Sequence, residues 1–413
     1  MKRRVVVTGL GVLSPVGTGK EVFWKNLMAG KSGIGAITRF DASEFTTRIA
    51  GEVRDFNPED YLDKKEAKRM DRNTQFAIAA SKLALEDSGV DLEKLDKSRA
   101  GVIIATGIGG INTMHDQYKT LFDKGPNRMS PFFVPMMIAN MAAGQTSIQF
   151  GFQGPCLCVV TACTGGTNAI GEAMRKIQYG EADLMLAGGT EAAVSEAAVG
   201  GFCAMKAMST RNDEPEKASR PFQADRDGFV MGEGSGILVL ESLESALARG
   251  ARIYGEVKGY GMNADAYHIT SPAPGGVLVK DCMEKAIKDA GLVPSDVDYI
   301  NTHGTSTPQG DTNEVVGIKM LFGDHAKKLA VGSTKSMTGH LLGAAGGIES
   351  IICTLAVAND EVPPTINFDN PDPELDLDFI PNVGRKQTVN VAISNSFGFG
   401  GHNGTVLVQK YRP

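Results

Sequence analysis

Short apolar runs rich in β-branched residues recur along the chain. They alternate with stretches in which apolar residues return every three or four positions. Residues 5–10, 102–105, 183–187, 237–241, 253–260, 298–302, 389–394 and 405–409 predict strands. Residues 75–88, 167–179, 277–290 and 344–358 predict helices, with a further short one over 241–249. In the second of these, Ala169, Ile170, Ala173, Met174 and Ile177 share one face, and in the fourth Ile348, Ile351, Ile352 and Leu355 do so. Strands alternating with helices argue an α/β fold.

At 413 residues the chain is too long for one hydrophobic core, which stops growing at roughly 250–300 residues. Two lobes follow, and the boundary falls near Gly250, giving halves 1–250 and 251–413. A weak internal repeat agrees. Cys163 precedes Gly165, Gly166 and an amphipathic helix; His340 precedes Gly343, Gly346, Gly347 and another. Glycine supplies 50 of the residues, above its usual share of about 7%, so tight turns and close backbone approaches are expected. Residues 129–171 hold no Asp, Glu, Lys or Arg, yet Pro131, Pro135 and Pro155 interrupt them. That window predicts burial in the core or in a subunit interface.

The 42 basic and 48 acidic residues give a net charge of −6, which argues against a general nucleic-acid binder. An anionic partner would need a local basic patch. None of the six cysteines has C-x-x-C spacing, so neither a zinc nor a redox motif is present, and reduced thiols in a cytosolic setting fit. Lys2-Arg3-Arg4 before Val5-Val6-Val7 has the look of a signal peptide, but Thr8, Gly9, Gly11, Ser14 and Pro15 break the apolar run. No membrane-spanning helix is expected. Two nucleotide motifs fail. The third glycine after Gly9-Leu10-Gly11 falls at Ser14, and Gly19-Lys20 is followed by Glu21 rather than Ser or Thr.

Val159-Val160-Thr161-Ala162-Cys163-Thr164-Gly165-Gly166-Thr167 brings a cysteine to a glycine-rich helix start. Free N–H groups and the helix dipole favour a thiolate there. Cys156, Cys158, Cys203, Cys282 and Cys353 lack that setting and read as packing residues. Asn301-Thr302-His303-Gly304 follows an apolar strand, and His340 closes Lys335-Ser336-Met337-Thr338-Gly339 before the second glycine-rich helix. His115, His268 and His325 read as structural histidines. One cysteine and two histidines suit thioester chemistry: the thiolate accepts an acyl group, and two imidazole N–H groups hold a developing enolate oxygen.

Four motifs carry a resemblance. Thr161-Ala162-Cys163, Thr302-His303-Gly304-Thr305-Ser306-Thr307-Pro308, Lys335-Ser336-Met337-Thr338-Gly339-His340 and Asn395-Ser396-Phe397-Gly398-Phe399-Gly400-Gly401 stand in the order and spacing of the β-ketoacyl-acyl-carrier-protein synthases. The chain resembles that family from Val5 to Val406. The Cys-His-His set is similar to its elongating members, and Leu341-Leu342-Gly343-Ala344-Ala345-Gly346 is most similar to the synthase II branch. The family usually has Ala-Thr-Gly after the cysteine, where this chain has Thr164-Gly165-Gly166.

The resemblance implies a thiolase-like fold of two duplicated halves forming a five-layer αβαβα arrangement, in a cytoplasmic homodimer with the 129–171 window at its interface. It implies Cys163 as the nucleophile, His303 and His340 as the enolate-holding pair, and an oxyanion hole from the N–H groups of Cys163 and Phe399. Lys335 with Glu349, and Asp311 with Glu314, match supporting charges. Thr305 and Thr307 match pantetheine contacts, Ile108 and Phe202 the acyl pocket, and Phe399 a gate. Lys65, Lys68 and Arg69, on one face of a helix, match carrier-protein docking positions, with Arg128 and Lys206 as neighbours. The implied partner is acyl carrier protein, loaded with acyl or malonyl groups. No cofactor, metal, nucleic acid or membrane is implied. The rival readings are a coenzyme A-dependent thiolase-like enzyme and a polyketide ketosynthase subunit.

Overall fold

The computed structural model describes residues 2–413. Each of the eight stretches read as strands coincides with a strand, shifted by a few residues, and two short strands extend the main path, apart from the two-residue hairpin strand Gly17–Thr18 that pairs only with the first. We number the ten β1 (Val5–Ser14), β2 (Ala100–Ala105), β3 (Cys156–Leu157), β4 (Leu184–Glu191), β5 (Gly234–Ser242), β6 (Gly255–Ala264), β7 (Tyr299–Asn301), β8 (Ala330–Gly332), β9 (Val391–Gly398) and β10 (His402–Gln409). They lie in the order β3-β2-β4-β5-β1 and then β6-β10-β9-β7-β8. The two groups meet through only two residue pairs, Val6 with Glu256 and Val7 with Gly255.

Outward from that seam the two groups repeat. β1 and β5 are antiparallel, as are β5 and β4, whereas β4–β2 and β2–β3 are parallel. The same signs hold for β6–β10, β10–β9, β9–β7 and β7–β8. Parallel neighbours need crossover helices. These are α1 (Arg72–Ser88), α2 (Met141–Phe150) and α3 (Gly165–Gln178) in the first group, and α4 (Val277–Asp289), α5 (Pro308–Phe322) and α6 (Ala345–Asn359) in the second. α1 and α2 cover one outer face, α4 and α5 the other, and α3 and α6 lie between the sheets, each touching strands of both. The result is a five-layer αβαβα stack.

The apolar faces read from the sequence explain the middle layer. Ala169, Ile170, Ala173, Met174 and Ile177 of α3 join Ile348, Ile351, Ile352 and Leu355 of α6 in one buried cluster. Each of those large aliphatic side chains contributes about 1.5–3 kcal/mol relative to exposure. The starts of α3 and α6 touch backbone to backbone. A Cβ on Gly166 would sit 2.6 Å from the Gly347 nitrogen, so no larger residue fits. Leu342–Asn359 is long and apolar enough to cross a membrane, a point the periodicity did not raise, but 89% of it is buried and it is a core helix.

Three expectations change. Residues 64–72 do not form one helix: Asp63 caps a single turn, Lys64–Ala67, and Asp71 caps α1. The helices Lys20–Met28, Ile111–Lys124, Met141–Phe150, Glu196–Ala204 and Pro308–Phe322 were not read from the pattern. The charge-free window supplies α2 and the edge strand β3, and it leaves Val134, Ile148, Leu157 and Val160 exposed rather than in the core.

Candidate active site

Cys163 sits in a 3-10 turn, Ala162–Thr164, that feeds directly into α3. The turn places Ala162 at φ 49°, left-handed backbone that a non-glycine residue adopts only when its surroundings hold it there. The Thr164 N–H and hydroxyl both donate to the Thr161 carbonyl, at 3.1 and 2.6 Å, and the Asn168 amide donates to the Thr161 hydroxyl at 2.8 Å. Thr164 thus has a fixed role where the family that the chain resembles usually has alanine. Gly165 leaves room for Ala105, whose Cβ would lie 3.0 Å from a Cβ at that position.

The two histidines come from the other half. His303 follows β7, and the N–H groups of His303 and Gly304 both donate to the Glu314 carboxylate of α5 at 2.9 Å. Asn395 donates to the same carboxylate at 3.1 Å. Asp311, one turn earlier on α5, accepts from the N–H groups of Ser306 and Phe222 at 3.2 and 3.0 Å. His340 follows the helical turn Lys335–Thr338, and its N–H donates to the Val230 carbonyl at 2.7 Å. Its Nε2 lies 3.0 Å from Cys163 Sγ. The His303 ring stands edge-on to it, with centroids 5.1 Å apart. The sulfur and the two ring nitrogens all fall within 4.8 Å of one another.

That spacing could also hold a soft divalent ion. The electrostatics argue otherwise, because the buried Lys335 ammonium already disfavours positive charge on both rings. Burial, then Lys335, holds His340 well below the usual histidine range, and His340 adds to the effect on His303. Burial pushes the Cys163 thiol up to about 12, against the opposing pull of Lys335 and of the N–H groups of Phe399 and Cys163 itself. The expected lowering at a helix start is therefore outweighed by desolvation, and the resting triad is neutral. Lys335 forms a buried ion pair with Glu349, whose carboxyl burial raises to about 7 against the attraction of that lysine.

The Phe399 turn follows β9 and is pressed against the nucleophile. A Cβ on Gly398 would lie 3.0 Å from the Cys163 nitrogen and 3.1 Å from the Thr161 carbonyl oxygen. A cavity of about 600 Å³ opens from Cys163, lined by Ile108, Phe202, Thr305, Thr307 and Phe399 together with both histidines. The Thr305 and Thr307 hydroxyls lie 3.0 Å apart on one wall, and the Phe202 ring packs edge-on against Phe229 at 5.3 Å. Lys206 stands at the rim.

Lys65, Lys68 and Arg128 are exposed, and Arg69 is half-buried with its guanidinium 4.9 Å from the Phe132 ring. Lys65 and Lys68 share one helical turn and its C-cap, whereas Arg69 lies beyond it, so the continuous helical face expected of the three is absent. The sequence reading missed Glu191. This carboxylate is fully buried at the end of β4, in Gly188-Gly189-Thr190-Glu191, and burial pushes it up to about 7. A charged residue closing an apolar strand after two glycines was the available signal.

The description "Beta-ketoacyl synthase, N-terminal domain" matches residues 2–246, and "Beta-ketoacyl synthase, C-terminal domain" matches residues 254–369. A 3-oxoacyl-[acyl-carrier-protein] synthase 2 of Synechocystis sp. (strain ATCC 27184 / PCC 6803 / Kazusa) is 56% identical over 411 residues, spanning 100% of this chain and 99% of the relative. The protein of the same name from Staphylococcus aureus (strain COL) is 54% identical over 409 residues, with 99% of each covered. Among solved structures, a type II polyketide acyl-carrier protein in complex with its ketosynthase gives a TM-score of 0.93 at 37% identity, covering 100% of both chains. A beta-ketoacyl synthase from Burkholderia phymatum STM815 gives 0.92 at 33% identity, over 99% of this chain and 100% of that one.

Proposed function

Because this chain belongs to the β-ketoacyl synthase family, we propose that it is a 3-oxoacyl-[acyl-carrier-protein] synthase, an acyltransferase that lengthens acyl chains by condensation with malonyl groups. One observation carries the reading. His340 Nε2 lies 3.0 Å from Cys163 Sγ, and the His303 ring stands beside them at the end of the cavity, with the sulfur and the two ring nitrogens within 4.8 Å of one another.

In the first half-reaction Sγ gives up its proton to the medium and attacks the carbonyl of an acyl thioester, while the His340 Nε2–H donates toward the sulfur. The carbonyl oxygen, now an oxyanion, is held by the N–H groups of Cys163 and Phe399. Collapse expels the carrier's thiolate, which takes up a proton from the medium in exchange, so His340 keeps its Nε2–H for the next step. In the second, a malonyl thioester enters and loses CO2. His303 and His340 donate hydrogen bonds to the thioester oxygen as the enolate forms. Its carbon attacks the acyl-Cys163 carbonyl, the 3-oxoacyl thioester departs, and the freed thiolate takes up a proton. Neutral imidazoles suit this step, since each offers one N–H to the oxygen and no net charge that would hold the malonyl carboxylate back.

The remaining residues fit the same scheme. Thr305 and Thr307 face the pantetheine arm, Ile108 and Phe202 bound the acyl chain, and Phe399 gates it. Lys335 with Glu349 sets the field at the triad, while Glu314 and Asp311 fix the loop that carries His303. Lys65, Lys68, Arg69, Arg128 and Lys206 receive the acidic carrier protein. A homodimer is supported by the edge strand β3, which has an open side, and by the exposed Val134, Ile148, Leu157 and Val160 of the charge-free window. Halves divided at 1–250 and 251–413 accord with the repeat of strand order.

Incubation with acyl carrier protein followed by mass spectrometry tests the reading. The acyl adduct should fall on Cys163 and be lost, together with elongation, in Cys163→Ala. An adduct on another cysteine with Cys163 unlabelled refutes the assignment, and a preference for coenzyme A thioesters over carrier thioesters favours the thiolase-like rival.

A further inference from the structure

Cys163 has a structural counterpart in the other half. Leu342, like Ala162, has φ 49°, and each begins a 3-10 turn that runs into a middle-layer helix. Gly343 stands where Cys163 stands. Helix starts of this kind favour negative charge. At α3 the group held there is the sulfur. At α6 it is the carboxylate of Glu191, which reaches across from the end of β4. Glu191 Oε2 accepts the N–H of Gly343 at 3.0 Å and that of Gly107 at 2.6 Å, and Oε1 accepts the Thr106 hydroxyl at 3.0 Å. Thr106 Oγ1 in turn accepts the Gly109 N–H at 3.0 Å.

One carboxylate therefore pins residues 106–109 and ties them to the turn that follows His340. The contact is so close that only glycine fits on either side. A Cβ on Gly107 would lie 2.7 Å from Glu191 Oε2, and one on Gly343 would lie 2.2 Å from the Gly107 nitrogen. Their neighbours Ile108 and Leu342 both line the cavity beside Cys163. None of the steps derived above uses Glu191.

We infer that Glu191 is a positioning residue that holds the Gly107–Ile108 wall of the cavity against the Leu342–Gly343 turn, and so fixes the opening through which an acyl chain extends from Cys163. This rests on the condensing reading of the site and adds to it the group that sets the acyl channel. A long chain threads past the wall and depends on its position. A butyryl chain ends close to the sulfur and does not.

The experiment measures acylation of Cys163 by butyryl and dodecanoyl pantetheine thioesters, with malonyl decarboxylation in parallel, in the intact enzyme and in Glu191→Ala, Glu191→Gln and Thr106→Val. Glu191→Ala should raise KM for the dodecanoyl substrate about tenfold or more and leave kcat, the butyryl reaction and decarboxylation within about twofold. Glu191→Gln should recover most of the loss, because its carboxamide oxygen still accepts both N–H groups. Thr106→Val loosens residues 106–109 without touching α6 and should give the same split between chain lengths at smaller size; it and the Gln variant keep the test open if Glu191→Ala does not fold. KM values for both chains rising together, decarboxylation falling by the same factor, or no change in any variant would overturn this inference alone. A wild-type enzyme that takes no acyl group on Cys163 overturns the condensing reading, and this inference with it.

Discussion

Gly398→Ala probes the proposed oxyanion hole with one methyl group. Gly398 is not in left-handed backbone, so alanine meets no torsional strain there, and the effect is purely one of space. The new Cβ would lie 3.0 Å from the Cys163 nitrogen, 3.1 Å from the Thr161 oxygen and 3.3 Å from the Thr164 nitrogen, where ordinary contact begins at 3.4 Å. The Phe399 turn must therefore retreat from the nucleophile by about 0.4 Å, the difference between 3.4 and 3.0. The Ala162–Thr164 turn does not yield easily, being held by the two donors from Thr164 to the Thr161 carbonyl. A 1 Å misplacement in a reacting geometry costs about 10²-fold, so 0.4 Å scales to roughly sixfold. Complete loss of the Phe399 donor would cost about 10²–10³. Acylation of Cys163 by an acyl pantetheine thioester should thus slow by between about sixfold and 100-fold. Overpacking should lower stability by about 1–3 kcal/mol. Alkylation of the same sulfur by iodoacetamide forms no oxyanion and should stay within about threefold. Equal slowing of acylation and alkylation, or no slowing of acylation, would refute the role given to the Phe399 N–H.

Three other outcomes follow from the same geometry. His303→Ala and His340→Ala should each lower malonyl decarboxylation by about 10²–10³, measured as CO2 release; wild-type release in either variant removes that histidine from the enolate site. Because burial pushes the Cys163 thiol up to about 12, its thiolate fraction should grow with each step in pH across the neutral range. Alkylation should then accelerate about tenfold per pH unit between pH 7 and 9, and a plateau below pH 9 would contradict a neutral resting triad. Reversing Lys65, Lys68 and Arg69 to Glu should raise KM strongly for acyl carrier protein and leave a small pantetheine thioester nearly unaffected. The wild-type carrier reaction should weaken with salt, since exposed charges are screened within about 8–10 Å at 0.10–0.15 M ionic strength. Equal loss with both substrates would dissociate those residues from docking.

The strands were legible because short apolar runs buried on both faces leave little ambiguity, whether β-branched as in β2 or built on Leu and Met as in β4. The middle-layer helices were legible because α3 carries a clear apolar face. α2 was not, because Met141–Phe150 mixes Gly144, Gln145 and Ser147 into a stretch without charges to mark a solvent side. β8 was too short to register, with three residues. The break at residues 68–71 was readable in principle, since Asp63 and Asp71 are both N-cap residues, but the run of basic side chains masked it. At the site, the motifs located Cys163, His303 and His340, whose side chains meet across the two halves. The pairing of Glu191 with Gly107 and Gly343 could not be read locally, because 84 residues separate it from one partner and 152 from the other. The thiol's acidity also escaped, since helix start and burial pull in opposite directions and only the packed structure says which prevails.

Glu349 has a second consequence, one that acts before the protein is folded. It is the only charged residue between Leu342 and Asn359, the stretch long and apolar enough to cross a bilayer. In the unfolded chain that stretch is exposed without Lys335 docked against it. A charge near the middle of a spanning helix sets about 2.5–3.5 kcal/mol against insertion. The carboxylate that later answers a buried lysine thus first biases the emerging segment away from lipid and toward the interior of its own fold.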